Sequence, residues 1–575
     1  MANRNQISGS DFSEIAGIIA RRLQKIYKSD FRETHVNRIL QLLVSNYSGW
    51  PAWDSTDIML ITYGSSIRAE NEKPLRTLHS FLNERLKGVF NTVHILPFFP
   101  YTSDDGFSIS DYMIVNPALG TWDDISAIGE DFYIMTDLVI NHVSSAHPWF
   151  KNFLNGSAPG KDYFIETVGG ADYSDVVRPR SSELFTKFNT SSGEKEVWTT
   201  FSSDQIDLNF SNPDVLIEMI RILVYYISRG ARFIRLDAIA FLWKQPGTSC
   251  LHLDETHEVV KLLRDIAAFV RPGTIILTET NVPNKENWSY FGDGDEAHMV
   301  YQFSLPPLLL YTLFSGNSDY LTQWAKEIPD VGSNQTFLNY TASHDGIGVR
   351  PLEGLLPEGA LNALIESVTD AGGLVSMRAG KSGTLTPYEL NITWYDAMKL
   401  PGNVYDHFHA LRYICSQAIM MAMKGIPAFY IHSLLATPND SDGVKSTGRF
   451  RSINRKELYE HELAHLLSSD TPQGRIFNGL VSLIKKRRIC PAFHPSAKQD
   501  VINYGSRIFA FIRTNSETRH TVYCISNISN TVTELELILA TAKKGFDLIS
   551  EEMIHSGQIV LKPFQTMWIE VRNQV

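Results

Sequence analysis

The chain has 575 residues, of which 43% are hydrophobic and 20% are charged, an ordinary composition for a soluble globular protein with room for more than one domain. Its 52 lysines and arginines stand against 63 aspartates and glutamates, which gives a net charge of −11. This acidic balance argues against nucleic acid or an anionic membrane surface as the main partner, but it leaves room for a local basic pocket that binds a small anion.

Targeting signals and membrane spans are not expected from the sequence. The N-terminal segment has no apolar run behind a basic start, so it does not fit a secretory signal. The most apolar long segment, 414–431, contains Gln417, Lys424 and a Gly-Ile-Pro break, which predicts a buried helix that runs into a strand. The four cysteines are scattered and are expected to be free core thiols in a reducing compartment, so we expect a cytoplasmic protein.

Short β-rich segments recur along the chain, and most of them are followed by a helical pattern. Helices fit between them, for example at 214–230 and 257–270, where apolar residues repeat every three or four positions. Eight near-continuous apolar strands alternating with helices predict an α/β fold, a parallel (β/α)8 TIM barrel. The predicted strands are 57–64, 92–98, 133–142, 232–238, 274–280, 299–305, 336–345 and 425–431.

Two gaps between predicted strands are longer than a single helix. The first contains a stretch rich in glycine, serine and charge, which predicts a small inserted domain at 143–210. The second predicts an insertion at 346–404, with a helix within 354–373 and loop in the remainder. The barrel is then assigned to 1–142, 211–345 and 405–489.

The pattern changes near residue 490. Short alternating segments separated by turns follow, such as RIFAFIRT and TVYCISNIS, and they predict a C-terminal antiparallel β-domain at 490–575. The basic run KKRR at 485–488, just before this domain, is interpreted as the solvated end of a helix.

The stretch FIRLDAIAF at 233–241, which overlaps the predicted fourth strand, carries two opposite charges on one face, because Arg235 and Asp237 are two residues apart. Burying a charge is costly unless it is paired or used. In a (β/α)8 barrel, active-site residues lie where the strands end at the C-terminal face. The polar residues at predicted strand ends are Asp137, Asn141, His142, Arg235, Asp237, Glu279, His344 and Asp345.

Three carboxylates, Asp237, Glu279 and Asp345, are therefore expected to converge on one mouth of the barrel. A pair of carboxylates on either side of a glycosidic bond is what cleavage of an acetal requires. Arg235 can hold Asp237 ionised and oriented through a charge-assisted hydrogen bond. Taken singly, an Arg–Asp pair in a strand can also be a structural ion pair, and a lone histidine is more commonly a satisfied core residue.

Four motifs resemble, in order, the short conserved regions of the α-amylase superfamily, glycoside hydrolase family 13. QIDLN at 205–209 resembles its fifth region, and the similarity spans roughly 55–460. The four motifs are DLVINH (137–142), FIRLDAIAF (233–241), LTET (277–280) and ASHDG (342–346). Narrower stretches resemble the sucrose-phosphorylase group within that superfamily, namely HILPFFPYTSDDGFSISDY (94–112), WTTFSSDQIDLN (198–209), SHDGIGV (343–349), YELNITWY (388–395) and SINR (452–455).

This resemblance implies a retaining double displacement. Asp237 corresponds to the nucleophile that forms a β-glucosyl ester, Glu279 to the general acid and base, and Asp345 to the transition-state stabiliser on the glucose 2- and 3-hydroxyls. The resemblance implies no cofactor and no metal, and inorganic phosphate as co-substrate. It further assigns the binding of the glucosyl unit to Asp105, Phe107, His142, Phe201, Arg235, His344 and Arg455.

In a phosphorylase, orthophosphate must attack the glucosyl ester beside three carboxylates, so its charge needs compensation. Arg178 and Arg180 suit this role because a guanidinium binds phosphate oxygens through two parallel hydrogen bonds. Tyr388 matches a phosphate-contacting tyrosine of the group, and Arg350 is another candidate. For Arg178, Arg180 and Arg350, a solvated loop arginine is the competing interpretation.

The acceptor site departs from the pattern of sucrose phosphorylases. They carry Asp-x-Tyr-Gln where this chain has Thr386-Pro387-Tyr388-Glu389, so both fructose-binding side chains differ. The segment 346–358 instead resembles relatives that phosphorolyse glucosylglycerol or glucosylglycerate. A carboxylate at Glu389 suits an acceptor with hydroxyl groups and would repel a glycerate anion unless an arginine intervened, which favours glucosylglycerol.

The resulting prediction is a phosphorylase that converts 2-O-α-glucosylglycerol and phosphate to α-D-glucose 1-phosphate and glycerol. Glucosylglycerate phosphorylase, sucrose or sucrose 6-phosphate phosphorylase, and an α-glucoside hydrolase or transglucosidase are the alternatives. A catalytically inactive barrel that binds or transports sugars would usually lack one of the three carboxylates, and none is missing here. The expected partners are a small glucoside, orthophosphate and a glycerol-like acceptor, without nucleic acid or membrane, and the protein is expected to be a monomer or homodimer.

Overall fold

The eight predicted barrel strands form one closed parallel barrel. The structure, a computed structural model, describes residues 9–43, 47–180, 182–379, 385–399, 406–540 and 542–572. Each strand pairs in parallel with the next one along the chain, and β8 closes the ring against β1. The barrel strands are β1 (Met59–Thr62), β2 (Thr92–Ile95), β3 (Tyr133–Val139), β4 (Ala231–Asp237), β5 (Ile275–Thr278), β6 (Met299–Tyr301), β7 (Thr336–Asn339) and β8 (Ile426–Tyr430).

Every residue of β1, β2, β4, β5, β6, β7 and β8 is buried, which explains why these segments are nearly continuous apolar runs. Helices follow the strands and cover the outside of the barrel. Their starts carry local signals, such as Asn212, whose side chain accepts from the backbone N–H of Asp214 just after it. The main helices are Gly9–Tyr27, Glu33–Leu42, Pro74–Phe81, Trp122–Asp131, Pro213–Ser228, Asp254–Val270, Leu305–Ser315, Asp319–Glu327, Glu358–Asp370, His409–Ala422 and Pro472–Arg488.

The region predicted as an inserted domain contains short antiparallel sheets beside the C-terminal ends of β3 and β4. His142–Ser144 pairs with Gln205–Asp207, and Phe185–Thr190 pairs with Gly193–Trp198. The first of these pairs carries His142 directly from the end of β3 to the barrel mouth.

The second insertion is more ordered than the sequence predicts. Its helix is present as Glu358–Asp370, but the part expected to be loop contains two strands, Leu374–Ala379 and Leu385–Asn391. Together with Ile347–Gly348 they form a three-stranded antiparallel sheet. The strand signal is weak because the second strand is only half-buried for much of its length and includes Pro387, which cannot donate a ladder hydrogen bond. Parts of the predicted ranges 1–142, 346–404, 405–489 and 490–575 lie outside the described residues.

The C-terminal antiparallel β-domain is present as predicted, which with the barrel confirms the fold class. A six-stranded sheet and a two-stranded sheet pack around a separate apolar core that includes Ile525, Leu537 and Ile569. The strands of the large sheet are Lys498–Ile502, Ile508–Asn515, His520–Asn527, Thr566–Arg572, Lys544–Asp547 and Glu552–His555, and those of the small sheet are Thr533–Leu537 and Gly557–Leu561.

One residue of the KKRR run corrects the interpretation of a solvated helix end. Arg487 is fully buried and donates to the backbone carbonyls of Met421, Gly425, Phe493 and Ser55. Arg487 therefore joins the starts of β1 and β8 to the segment that leads into the C-terminal domain. Local sequence does not reveal this, because three of the four carbonyls, those of Ser55, Met421 and Gly425, come from two distant parts of the chain.

The long apolar segment adopts the predicted form, since the helix His409–Ala422 runs into strand β8. Among the helices described, none is both long and apolar enough to cross a bilayer. All four cysteines are buried and free, as expected from their spacing.

Candidate active site

The mouth of the barrel, at the C-terminal ends of the strands, holds a pocket that opens to solvent. The three carboxylates predicted from strand order, Asp237, Glu279 and Asp345, all lie on its wall. The other lining residues are Asp104, Phe107, His142, Arg180, Phe201, Gln205, Ala238, Asn281, His344, Tyr388, Glu389 and Arg451.

Asp237 is the last residue of β4, and the chain turns sharply directly after it. Ala238 has a left-handed backbone with φ of 54°, which is uncommon for a residue with a side chain. In this conformation its N–H donates to Oε2 of Glu279 over 2.9 Å. The turn therefore ties the ends of β4 and β5 together and brings two carboxylates to the same part of the pocket, an example of strain placed at a functional site.

Arg235 lies beneath the pocket between two carboxylates. Its Nη1 is 2.5 Å from Oδ1 of Asp137 and 2.8 Å from Oδ1 of Asp237. Asp137 also binds Nε2 of His94 at 2.7 Å, and all four residues are buried. The two charges on one face of β4 thus belong to a buried network that fixes Asp237 from below.

The pKa values of Asp237 and Glu279 are both raised, mainly because burial disfavours their charged forms. Arg235 lowers both values, but the charges of Glu279 and Asp345 raise that of Asp237 again, and Asp345 also raises that of Glu279. The pair therefore retains a proton more readily than two isolated carboxyl groups would. Burial raises the pKa of both groups, but Asp237 is the one of the two in direct contact with Arg235, so we assign the anion to Asp237 and the shared proton to Glu279.

Asp345 behaves in the opposite way. Burial alone would raise its pKa, but the guanidinium groups of Arg451, Arg455 and Arg235 outweigh that cost and hold the pKa well below its ordinary value. Nη1 of Arg451 is 2.5 Å from Oδ1 of Asp345, and Nη2 of Arg455 is 3.6 Å from the same oxygen. The pKa of Asp345 is therefore lowered while that of Glu279 is raised, and acid-assisted cleavage of a glycoside needs two carboxyl groups shifted apart in this way.

Arg451 is a site residue that the sequence analysis did not identify. Besides contacting Asp345, Arg451 donates a hydrogen bond to each carboxylate oxygen of Glu389, from Nε to Oε2 at 3.0 Å and from Nη2 to Oε1 at 2.5 Å. A signal was present in the sequence, because Arg451 directly precedes the SINR motif and lies four residues before Arg455, its last residue.

Four of the residues assigned to the glucosyl unit line the pocket: Phe107, His142, Phe201 and His344. The rings of Phe107 and His344 are stacked with centroids 4.8 Å apart and planes 5° apart. Nε2 of His142 is 2.9 Å from the carbonyl oxygen of Phe107, and Gln205, which sequence analysis missed, contacts the same nitrogen at 3.1 Å. The aromatic rings therefore form a connected wall that could face a sugar ring, and their assigned roles remain predictions.

The two adjacent aspartates of the DDGF segment point to different sides. Asp104 lines the pocket, whereas Asp105 borders a neighbouring groove and pairs with Arg455 at 2.7 Å and Arg449 at 3.0 Å. Both aspartates have left-handed backbones, with φ of 51° and 48°. Gly106 is required after them because a Cβ there would lie 2.7 Å from the carbonyl oxygen of Pro97. The structure thus places Asp104 on the pocket wall and pairs Asp105 with Arg455, and the glucosyl-binding role assigned to Asp105 stays a prediction.

Of the residues assigned to phosphate and acceptor, Arg180, Tyr388 and Glu389 line the pocket. The guanidinium of Arg180 lies 5.8 Å from the centre of the Tyr388 ring. Arg180 has no ion pair with any described residue. It is therefore an available positive charge at the rim of the site.

Arg178 and Arg350 are not among the residues that line the pocket. Arg350 contacts Oε2 of Glu286 at 3.4 Å. Two guanidinium nitrogens of Arg178, Nε and Nη2, are buried without a hydrogen-bond partner in the described part of the chain. Their assignment to phosphate stays a prediction.

Asn281 is another lining residue that sequence analysis missed. It follows Glu279 by two positions, and its Oδ1 is buried without a partner among the described residues. Gly348 packs against it, since a Cβ at that position would lie 2.6 Å from the amide of Asn281. Within the described ranges, no three histidine, cysteine, aspartate or glutamate side chains are grouped so as to hold a metal ion.

Comparison with known proteins agrees with this geometry. Residues 86–346 match the family model "Alpha amylase, catalytic domain". A glucosylglycerate phosphorylase from Spirochaeta thermophila is 47% identical over 84% of this chain and 82% of its own length, and a glucosylglycerol phosphorylase from Marinobacter adhaerens is 31% identical over 76% and 89%. The crystal structure of sucrose 6F-phosphate phosphorylase from Thermoanaerobacter thermosaccharolyticum superposes with a TM-score of 0.73 at 25% identity, over 89% of this chain and 99% of that one. The chain belongs to the α-amylase family and, within it, to the sucrose-phosphorylase-like glycoside phosphorylases, a class of glycosyltransferases.

Proposed function

We propose that the protein catalyses the reversible phosphorolysis of α-glucosylglycerate to α-D-glucose 1-phosphate and glycerate. The observation that carries this proposal is the degree of similarity, 47% to a glucosylglycerate phosphorylase against 31% to a glucosylglycerol phosphorylase. The sequence alone favours glycerol as the acceptor, so the proposal also needs a structural reason why an acidic acceptor is tolerated.

The neutralised state of Glu389 supplies that reason. The sequence favours glycerol because a carboxylate at Glu389 would repel glycerate unless an arginine intervenes. Both oxygens of this carboxylate are bound by Arg451, and the side chain is almost fully buried. An anion that approaches the pocket therefore meets a carboxylate already bound by Arg451, and the guanidinium of Arg180, which has no ion pair among the described residues, faces the same space.

In the proposed first step, the carboxylate of Asp237 attacks the anomeric carbon of the glucosyl unit while Glu279 protonates the departing oxygen of glycerate. Arg235 lowers the pKa of Asp237 and, held in turn by Asp137 and His94, keeps its carboxylate in position. Burial keeps the proton on Glu279, because it raises the pKa of that carboxyl. Asp345 stays ionised beside the positive charge that develops at the anomeric centre, and a β-glucosyl ester on Asp237 results.

In the second step, orthophosphate occupies the space that glycerate leaves and attacks the ester, with Glu279 now acting as the base. Arg180 is the cation best placed to hold its oxygens, and Tyr388, whose ring lies beside that guanidinium, can contribute its hydroxyl. Two displacements at one carbon retain the α configuration in glucose 1-phosphate.

The test is synthesis from glucose 1-phosphate with a panel of acceptors, namely D-glycerate, glycerol, fructose and fructose 6-phosphate, compared by kcat/KM. We expect glycerate to exceed glycerol by at least about tenfold, a difference of about 1.4 kcal/mol in transition-state binding. A higher kcat/KM with glycerol would reject the glycerate assignment and return the acceptor to the choice favoured by the sequence. Release of free glucose without a requirement for phosphate would identify a hydrolase or transglucosidase.

A further inference from the structure

Three charged side chains form a continuous chain across the pocket wall, from the three-stranded sheet to the catalytic centre. Glu389 lies in the strand Leu385–Asn391, Arg451 in the turn Phe450–Asn454 and Asp345 after β7. Arg451 contacts Glu389 through Nε and Nη2 and contacts Asp345 through Nη1, all within 3.0 Å. One guanidinium therefore connects the residue assigned to the acceptor with the residue assigned to the transition state.

Glu389 is poorly accessible to a substrate. It is 1% exposed, and each of its two carboxylate oxygens already accepts a hydrogen bond from Arg451. The contact has the parallel, two-bond geometry that makes arginine–carboxylate pairs strong and directional. A side chain in this state fixes its partner more effectively than it contacts an acceptor.

The orientation of Arg451 is decided by this contact. Its other face is turned to Asp345, with Asp104 at 4.0 Å from the same Nη1 nitrogen. A flexible arginine at the mouth of a pocket has many rotamers, and ordering it costs conformational entropy. The buried carboxylate of Glu389 removes that freedom in advance.

We propose that Glu389 is a positioning residue that acts through Arg451, holding this guanidinium against Asp345, and is not itself the group that binds the acceptor. The inference rests on the proposed double displacement, in which Asp345 stabilises the developing positive charge, but it does not depend on the identity of the acceptor. It reassigns Glu389 from the acceptor site to the support of the catalytic centre and adds Arg451 to that centre.

The surroundings of Asp345 explain why the position of Arg451 matters. The ionised state of Asp345 depends on cations that offset the repulsion from its neighbouring carboxylates. Arg451 makes the shortest of these contacts, so its displacement weakens that balance. The titratable and charged groups that face Asp345 are Arg451, Arg455, Arg235, His344, Asp237, Glu279, Tyr63, Tyr340 and Tyr430.

The experiment measures the first half-reaction alone, as fluoride release from α-D-glucosyl fluoride in a single turnover, and so needs neither glycerate nor phosphate. In Glu389→Gln, an NH2 group replaces one carboxylate oxygen that accepts a hydrogen bond from Arg451, and this NH2 group faces the N–H groups of the guanidinium. We expect its glucosylation rate to fall by at least about tenfold with a nearly unchanged dissociation constant for the donor. Arg451→Gln should slow glucosylation at least as much as Glu389→Gln does, because Asp345 loses its nearest cation. Arg451→Lys, which keeps the charge but not the planar guanidinium, should show a smaller loss than Arg451→Gln.

The double variant Arg451→Gln/Glu389→Gln distinguishes positioning from direct binding. If Glu389 acts only through Arg451, the second change costs nothing further, and the double variant is at least as active as Arg451→Gln because a buried unpaired carboxylate has been removed. Arg378→Gln is the matched control, since Arg378 pairs with Glu353 at 2.8 Å on the same sheet but outside the pocket. It should glucosylate at the wild-type rate.

Two results would overturn the proposal. One is a Glu389→Gln variant that glucosylates normally but raises the KM for the acceptor, which would make Glu389 an acceptor ligand. The other is a multiplicative loss in the double variant. Failure of the glycerate assignment would appear only in the acceptor panel and would leave the fluoride measurements intact.

Discussion

The strongest test of the buried network under the site is to replace Arg235 with methionine, which fills similar space without charge. Arg235 holds two carboxylates, at 2.5 Å in Asp137 and 2.8 Å in Asp237. At an effective dielectric constant of about 20, a pair of unit charges 2.8 Å apart interacts by about 6 kcal/mol before the cost of desolvation. Removal of one partner from a buried ion pair costs about 3–5 kcal/mol in measured cases.

That cost is shared between the two carboxylates. Half of it, about 1.5–2.5 kcal/mol, corresponds to a rise of about one to two units in the pKa of Asp237, at about 1.4 kcal/mol per unit. The sign follows from the charge, because Arg235 lowers the pKa of Asp237 and its loss removes that effect. The nucleophile must be ionised, so activity at the acidic side should be lost at a higher pH than in the wild type.

The assay is the pH dependence of fluoride release from α-D-glucosyl fluoride, whose leaving group needs little help from Glu279. We expect the acidic limb to move upward by about one to two units in Arg235→Met and by less in Arg235→Lys, which keeps a charge near Asp237. Circular dichroism and thermal melting establish that the variants are folded. An acidic limb that stays in place in a folded Arg235→Met variant would refute the view that Arg235 sets the ionisation of Asp237.

Three further predictions follow from the same geometry. Glu279→Gln should slow phosphorolysis of the natural glucoside by about 100-fold or more. Fluoride release from α-D-glucosyl fluoride should fall far less, because fluoride departs without help from a general acid. Equal slowing of both reactions would argue against the acid role of Glu279. In the direction of phosphorolysis, Arg180→Ala should raise the KM for phosphate at least about tenfold, whereas Arg350→Ala should leave this KM unchanged. The reason is that Arg180 lines the pocket, while Arg350 contacts Glu286 elsewhere. The reverse pattern would exchange their roles. Arg487→Met should lower the melting temperature by several degrees, because it leaves four backbone carbonyls without the guanidinium that donates hydrogen bonds to them. The kinetics of the folded enzyme with its glucoside should stay normal. An unchanged melting temperature would contradict this.

Much of the fold and the centre of the site could be predicted from the sequence. Buried parallel strands are local features, since each is a short apolar run of its own, and the order of eight such runs implies a barrel. Asp237, Glu279 and Asp345 stand at or just beyond the ends of three of these strands, and closure of the barrel places them around one mouth. Their convergence is therefore a consequence of periodicity and chain order alone.

Other features were decided only by tertiary structure. Arg451 and Glu389 are 62 residues apart, and no local pattern reveals that a turn of the barrel domain and a strand of the second insertion meet as an ion pair. The weak strands around Pro387 owe their sheet to partners, not to propensity. The sequence suggests that Arg487 is a surface charge, but its guanidinium donates hydrogen bonds to backbone carbonyls of distant segments.

The adjacent residues Asp104 and Asp105 illustrate the reason most simply. In sequence they are equivalent candidates, yet two successive left-handed backbone conformations send one to the pocket and the other to Arg455 and Arg449. The amino-acid sequence by itself determined the barrel and the three carboxylates, because both follow from short-range patterns repeated in order. Only the folded chain decided which charges neutralise one another, because the energy of an ion pair depends on the distance and the burial of groups that the sequence leaves far apart.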